Sequence, residues 1–252
     1  LYLLAELPPN SRLSPDFELI SSHPVQQLLR YPMSSHTDFV LDSNRIPDPT
    51  RYLQLPSDSA PRARQLARQL RNAAIDNAET VKLALQYIRE QPFYYTRQPP
   101  FMIDDPVDEF LFDNRRGFCE HYASSFVFLM RAAGIPARVV TGYQGGEMNP
   151  QSDYFIVRQS DAHAWAEVWL PDAGWQRVDP TAAVAPERIE RSLDMAGGAA
   201  GAAASFRLPE SDLLGRNLRK LRYLLDAMNN QWHEWVLSYG PQRQLEFLAS
   251  LG

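Results

Sequence analysis

The chain has 252 residues, 44% of them hydrophobic, and a formal charge of −5. That is enough apolar material for a large domain with attachments, and the acidic balance argues against a general nucleic-acid binder, which would carry a basic surface. No run of about 18 apolar residues is present, so no segment is expected to span a membrane, and a start at Leu1 without a signal peptide reads as a piece of a longer protein whose flanks carry any targeting or membrane segments.

Residues 1–60 are rich in proline, serine and short apolar alternations and read as a small β-rich extension. Phe39-Val40-Leu41 and Tyr52-Leu53-Gln54-Leu55 have the alternation of strands, with Pro47 and Pro49 marking a loop between them. Residues 61–91 read as two helices. In the first, Arg62, Arg64, Arg68 and Arg71 interleave with Leu66 and Leu70, the pattern of a solvated basic face. The second is capped by Asp76 or Asn77, carries Val81, Leu85 and Ile88 at helical spacing, and stops at Pro92.

Residues 92–118 read as a long loop containing Phe93-Tyr94-Tyr95 and the acids Asp104, Asp105, Asp108, Glu109 and Asp113. Those acids lack the spaced D-x-D-x-D-G pattern of a calcium loop, so helix capping and loop solvation are the roles expected of them. A helix then runs from Cys119 to Ala133, apolar nearly all round and hence buried, and Gly134-Ile135-Pro136 stops it. Ala137–Tyr143, Tyr154–Gln159, His163–Leu170 and Trp175–Val178 read as strands, with Pro171–Gly174 the turn between the last two. Residues 195–205 are an Ala/Gly-rich linker. Residues 206–252 form an amphipathic helical segment whose Leu218, Leu221, Leu225, Met228, Trp232 and Trp235 either pack on the domain or approach a membrane interface.

Cys119 is the chain's single cysteine, so no internal disulfide exists, and an isolated thiol is either a small buried hydrophobe or a nucleophile. Its place at the first turn of a buried helix favours the thiolate, because the positive end of the helix dipole lies there. His163, in D-A-H-A-W-A-E-V-W, is the proton carrier expected beside it. His23, His36 and His233 lie in the flanking segments, and His121 is about 200° round the helix from Cys119 and so structural. Glu167 and Asp179 compete to orient His163. Glu167 is four residues along the same strand, about 13 Å away and out of reach. Asp179 comes back on the neighbouring strand. If Trp169 pairs with Trp175, then Trp165 opposes Asp179 and His163 is its diagonal neighbour on the same face. A one-residue slip would turn Asp179 to the other face unless a bulge reset it, so the Trp169–Trp175 register, or a bulge of equivalent effect, is expected. For the oxyanion of acyl transfer, the backbone N–H of Cys119 is one candidate donor, and Tyr94 or Tyr95 a second.

G-F-C-E-H-Y-A-S-S-F, R-A-A-G-I-P-A-R-V-V-T-G-Y, H-A-W-A-E-V-W and W-Q-R-V-D-P-T, in that order over roughly Gln86–Thr181, resemble the transglutaminase-like superfamily of papain-fold acyltransferases and peptidases. The resemblance implies an α+β fold with the cysteine helix packed on an antiparallel sheet, a Cys119–His163–Asp179 triad, and a catalytic core over 61–194. With its flanks, the chain resembles the extracytoplasmic part of the bacterial TgpA membrane proteins. That implies protein-glutamine gamma-glutamyltransferase activity, a glutamine donor in protein or peptide, a lysine-like amine acceptor, a site facing the periplasm, and membrane attachment through flanking segments. It implies no cofactor, metal or nucleic acid. Calcium is not carried over from the animal enzymes. Trp165, Trp169, Trp175 and Tyr143 are candidates to wall an acceptor channel, although buried aromatics are more often plain core, and the loops 92–118 and 144–153 are candidate lids. Two other readings stand beside it: a cysteine peptidase or amidase acting on cell-wall or protein amides, and a non-catalytic binding scaffold.

Overall fold

The structure, a computed structural model, describes residues 48–150 and 154–185, shorter stretches between 2 and 46, and Tyr223–Leu224. The chain divides into two compact units, one of residues 1–39 with 224–252 and one of residues 40–223. In the first, β1 (Tyr2–Leu4) pairs antiparallel with β4 (Met33–Ser35), and β2 (Ser11–Leu13) with β3 (Leu19–Ser21).

The second unit opens on two helices, α1 (Pro61–Ala73) and α2 (Asn77–Glu90). Asp76 caps α2 by accepting from the Glu79 N–H at 2.7 Å, and Val81, Ala84 and Ile88 bury its inner stripe. Residues 92–118 are more ordered than a loop. They hold a short strand β5 (Tyr94–Tyr95), one helical turn α3 (Pro106–Asp108), a π-helical turn Glu109–Asn114 and a strand β6 (Arg116–Gly117) parallel to β5. The π turn forms because Phe110 and Leu111 bury against the core, an apolar pair hidden in the sequence among acids. Two of the acids are caps. Asp105 accepts from the Ala60 N–H, and Asp108 accepts from Arg62 and Ala63 at 2.9 and 2.8 Å, so both serve the start of α1.

The central helix α4 (Cys119–Ala132) buries Tyr122, Phe126, Leu129 and Met130 completely, together with Val127 and Phe128. It packs on α1 and on an antiparallel sheet in the order β11-β10-β7, where β7 is Ala137–Tyr143, β10 Ala162–Leu170 and β11 Gly174–Val178. Ala166 and Val168 on the middle strand meet α4 in the main core, as does Ala137 on β7. Between β7 and β10 the chain makes an excursion that contains the small hairpin β8 (Glu147–Met148) and β9 (Phe155–Ile156), followed by a 3-10 turn at Gln159–Asp161.

Two strand expectations fail. Tyr52–Leu55 begins in a 3-10 turn (Thr50–Tyr52), and its aromatic ring packs edge-on against Trp175 with centroids 4.8 Å apart. The alternation there serves packing, not pairing. Val40 and Leu41 are not in a strand either, although the Leu41 carbonyl accepts from Trp175 N–H at 3.0 Å. The strand expected over Tyr154–Gln159 is confined to Phe155–Ile156. The linker at 195–205 lies outside the described residues, and of the segment 206–252 only Tyr223 and Leu224 are described, both helical.

Candidate active site

The cysteine is delivered by a helix start with unusual neighbours. Phe118 occupies the N-cap position and offers no capping side chain. His121, one turn in, sends Nδ1 back to within 3.5 Å of the Phe118 N–H, and its ring packs edge-on against Phe118 at 4.6 Å. Burial pushes the His121 pKa below the ordinary imidazole value, which keeps Nδ1 an acceptor. Gly117 is required just before it: a Cβ there would meet His121 Cβ and Phe110 Cε2, each at 2.8 Å. His121 is thus structural, as its angular position on the helix predicts.

Cys119 is 8% exposed and clusters with Ala123 and Ala164. Alanine at those two positions lets the helix end approach the middle strand closely. His163, the next residue along β10, is 7% exposed. Its Nε2 lies 2.7 Å from Asp179 Oδ2, and the ring also shares a hydrogen bond with the Cys119 side chain. With Nε2 taken by the carboxylate, Nδ1 is the nitrogen left for sulfur. Burial alone would lower the His163 pKa, but the hydrogen bonds to Asp179 and Cys119 and the charges of both together raise it to about 9. The imidazole is therefore held as imidazolium at neutral pH beside a thiol at a helix N-terminus, the arrangement that favours an ion pair.

Asp179 reaches His163 by the predicted register. Trp169 pairs with Trp175 and Ala166 with Val178. One further step of the same register sets Trp165 against Asp179. The carboxylate is fixed at both ends: Oδ1 accepts from the Thr181 N–H at 3.1 Å as the cap of a 3-10 turn (Pro180–Ala183), while Oδ2 faces the imidazole. Glu167 is engaged elsewhere, with Arg138 Nε at 2.9 Å.

Three neighbours complete the corner. Trp165 stacks near His163 (centroids 6.2 Å apart, planes at 24°), and a Cβ at Gly142 would meet its Cη2 at 2.9 Å. The Arg177 guanidinium lies 4.1 Å from the centre of the Trp165 ring, 3.2 Å from Gln144 Oε1 and 4.0 Å from Asp179 Oδ2. Arg177 went unremarked in the sequence, yet the same parity rule that places Asp179 places it, two residues earlier on the same face. Tyr95 is set opposite Gly117 and stacks on Tyr122 at 6.3 Å, whereas Tyr94 is 64% exposed. The channel expectation is corrected in part. Trp169 sits six positions along β10 from His163, about 20 Å, with Trp175 opposite it on β11, and Trp175 is buried between Tyr52 and Arg138. Trp175 is buried and Trp169 half-buried, and both lie far from His163, so neither walls a channel at the triad. Among the described residues no group of three or more His, Cys, Asp or Glu is placed to hold a metal ion, and no helix among them is long and apolar enough to cross a membrane.

A family model for the transglutaminase-like superfamily matches residues 64–180, which include the three residues of this corner. A crystal structure of the periplasmic domain of TgpA from Pseudomonas aeruginosa superposes with a TM-score of 0.71 at 49% identity, covering 77% of this chain and 67% of that one. The chain belongs to the transglutaminase-like superfamily. A protein-glutamine gamma-glutamyltransferase of P. aeruginosa is 47% identical over 244 residues, 95% of this chain and 36% of the relative. The human coagulation factor XIII A chain is 34% identical over 89 residues, 27% of this chain and 12% of that protein. The chain thus spans about a third of the bacterial relative's length.

Proposed function

We propose that this chain is the catalytic part of a protein-glutamine gamma-glutamyltransferase, with Cys119 as nucleophile, His163 as acid and base, and Asp179 as the group that orients His163. The observation that carries the reading is the 2.7 Å bond from His163 Nε2 to Asp179 with the Cys119 sulfur as the ring's other partner. Similarity to a relative of that name supports the choice of reaction.

The Cys119 thiolate attacks the γ-carboxamide carbon of a glutamine side chain. A C–S bond forms and the carbonyl oxygen takes the negative charge, which the backbone N–H of Cys119 is positioned by the helix start to meet; Tyr95 is the candidate second donor. On collapse the C–N bond breaks, the imidazolium gives its proton to nitrogen, and ammonia leaves. A lysine-like amine then attacks the thioester and passes a proton to neutral His163. The amide forms, the C–S bond breaks, and the thiolate–imidazolium pair returns. Asp179 holds Nε2–H throughout and is not itself protonated.

The site is assigned to the periplasmic side of a membrane protein, on its similarity to a periplasmic domain. The division into a 1–60 extension, a 61–194 core, a 195–205 linker and a 206–252 segment leading toward a membrane belongs to the same proposal. The test is to incubate the chain with a glutamine donor peptide and a primary amine. Mass spectrometry should find the peptide's acyl group on Cys119, with loss of ammonia, and amine incorporation in the product. Ammonia release with no incorporation would replace transferase by amidase; no adduct on Cys119 would end both readings.

A further inference from the structure

Away from the triad lies a buried polar cluster that the reaction as written does not use. Glu147 is 8% exposed, Asn149 2% and Tyr223 6%. Carboxylates are rarely buried this far unless paired, and a paired, fully bonded cluster fixes geometry more sharply than apolar packing does. The Arg158 Nε and Nη2 donate to Glu147 Oε1 at 2.9 and 2.6 Å, and the Tyr223 hydroxyl donates to Oε2 at 3.1 Å. Asn149 Nδ2 donates to the Tyr154 hydroxyl at 2.9 Å and to the Tyr223 carbonyl at 3.1 Å. Tyr223 is thereby clasped to the β8 arm of the β8–β9 hairpin, at Glu147 and at Asn149 just beyond the strand, 76 and 74 residues away in sequence.

The clasp leads into the active site through the backbone. Arg158, whose side chain holds Glu147, donates its own N–H to Asp161 Oδ2 at 2.7 Å and so fixes the 3-10 turn Gln159–Asp161. The Asp161 carbonyl accepts from Gln144 N–H at 2.9 Å, and the Tyr143 hydroxyl donates to Gln159 Oε1 at 3.0 Å, closing the base of the excursion. Ala162 and His163 follow at once, paired with Tyr143 and Gly142. His163 is thus the second residue after a turn whose position is set by Arg158, and Arg158 is set by Glu147 and Tyr223.

We propose that Tyr223, Glu147 and Arg158 are positioning residues for His163, so that a residue from the carboxy-terminal part of the chain is required for the triad to meet. The proposal rests on the triad reading above. It makes the 144–161 excursion a tethered support for the histidine strand, where a free lid would leave the strand's entry loose.

The test uses the whole 252-residue chain with Tyr223→Phe, which removes one donor and keeps the ring and carbonyl, and Arg158→Lys, which keeps the charge and loses the two-nitrogen fork. Active sites are counted by thiol titration, and kcat, KM and the pH dependence of Cys119 alkylation are measured per titrated thiol. Expected are falls in kcat of about threefold for Tyr223→Phe and about tenfold for Arg158→Lys, with KM unchanged. The limb of the alkylation profile that rises with pH, which reports thiolate formation, should move to higher pH in both, because an imidazolium loosened from Asp179 stabilises the Cys119 thiolate less; Arg177 opposes Asp179 in this. Fewer titratable thiols with an unchanged rate and profile per thiol would overturn the proposal, leaving the cluster a stability element. Unchanged kcat and profile in Tyr223→Phe and Arg158→Lys would overturn it also. Failure of the triad reading is seen separately, as acyl transfer surviving in Cys119→Ala, and the alkylation profile still decides the clasp.

Discussion

Helices α1 and α4 both begin without a capping side chain of their own, and the two starts are completed in opposite ways. At α1 the N-cap residue is Ala60, in a left-handed conformation (φ 50°), and Pro61 has no N–H to satisfy. The remaining amides are met by carboxylates brought from 45 residues away: Asp105 takes the Ala60 N–H, and Asp108 takes those of Arg62 and Ala63. At α4 the N-cap is Phe118, and the group at the first turn is the sulfur of Cys119, the proposed nucleophile. Helix N-termini attract negative charge wherever they occur. What separates a joint from a reaction centre is whether that charge is a carboxylate already bonded in place or a nucleophile with a proton carrier on its far side.

Substitutions at the two helix starts test this contrast. Cys119→Ala should abolish acyl transfer, a fall on the order of 10⁵-fold, while the far-UV circular dichroism and melting midpoint stay near those of the parent. Rates within tenfold of the parent would erase the distinction between the two starts. His163→Ala should cost about 10⁴-fold and Asp179→Ala about 10³-fold, since Asp179 orients the ring and does not move a proton itself; steady-state kinetics with a glutamine donor rank them. The pH dependence follows from His163, whose pKa is raised from 6.5 to about 9. Acylation needs the imidazolium, so its rate should fall as pH rises through about 9. The stability the charged ring contributes is complete below about 6.5 and is lost over the same rise to about 9. In Asp179→Ala the alkaline limb should move down toward the ordinary imidazole value, which a pH series of the pre-steady-state release of ammonia from a glutamine donor would detect. The smallest effect on catalysis belongs to α1. Asp108→Ala should lower stability by about 1–2 kcal/mol in urea unfolding and leave kcat per titrated thiol unchanged. A large loss of kcat there would mean that the two helix starts are not separate.

The core of this arrangement was legible because it obeys short-range rules. The apolar run after Cys119, the Gly134 stop and the alternation in Ala137–Tyr143 each specify an element, and the fixed two-residue period of a strand carries Asp179 to His163 once Trp169 and Trp175 are paired. The same period would have flagged Arg177. What could not be read was set by distant contacts. Tyr52 looks like a strand residue until Trp175 is beneath it. Phe110 and Leu111 were masked by the acids around them, and those acids find their partners on a helix encountered 45 residues earlier. The Glu147–Tyr223 bond joins segments 76 residues apart with no motif at either end.

The two oxygens of Asp179 have separate partners, one bound to the Thr181 amide and one to the imidazole, so the group cannot turn over. An isosteric amide would meet that asymmetry as a polarity filter. In Asp179→Asn the oxygen must stay with Thr181, the NH₂ must then point at Nε2, and the ring is forced into the tautomer that carries its hydrogen toward sulfur. Proton traffic would be reversed at the first relay, and the near-perfect mimic should be the more crippled enzyme, below Asp179→Ala.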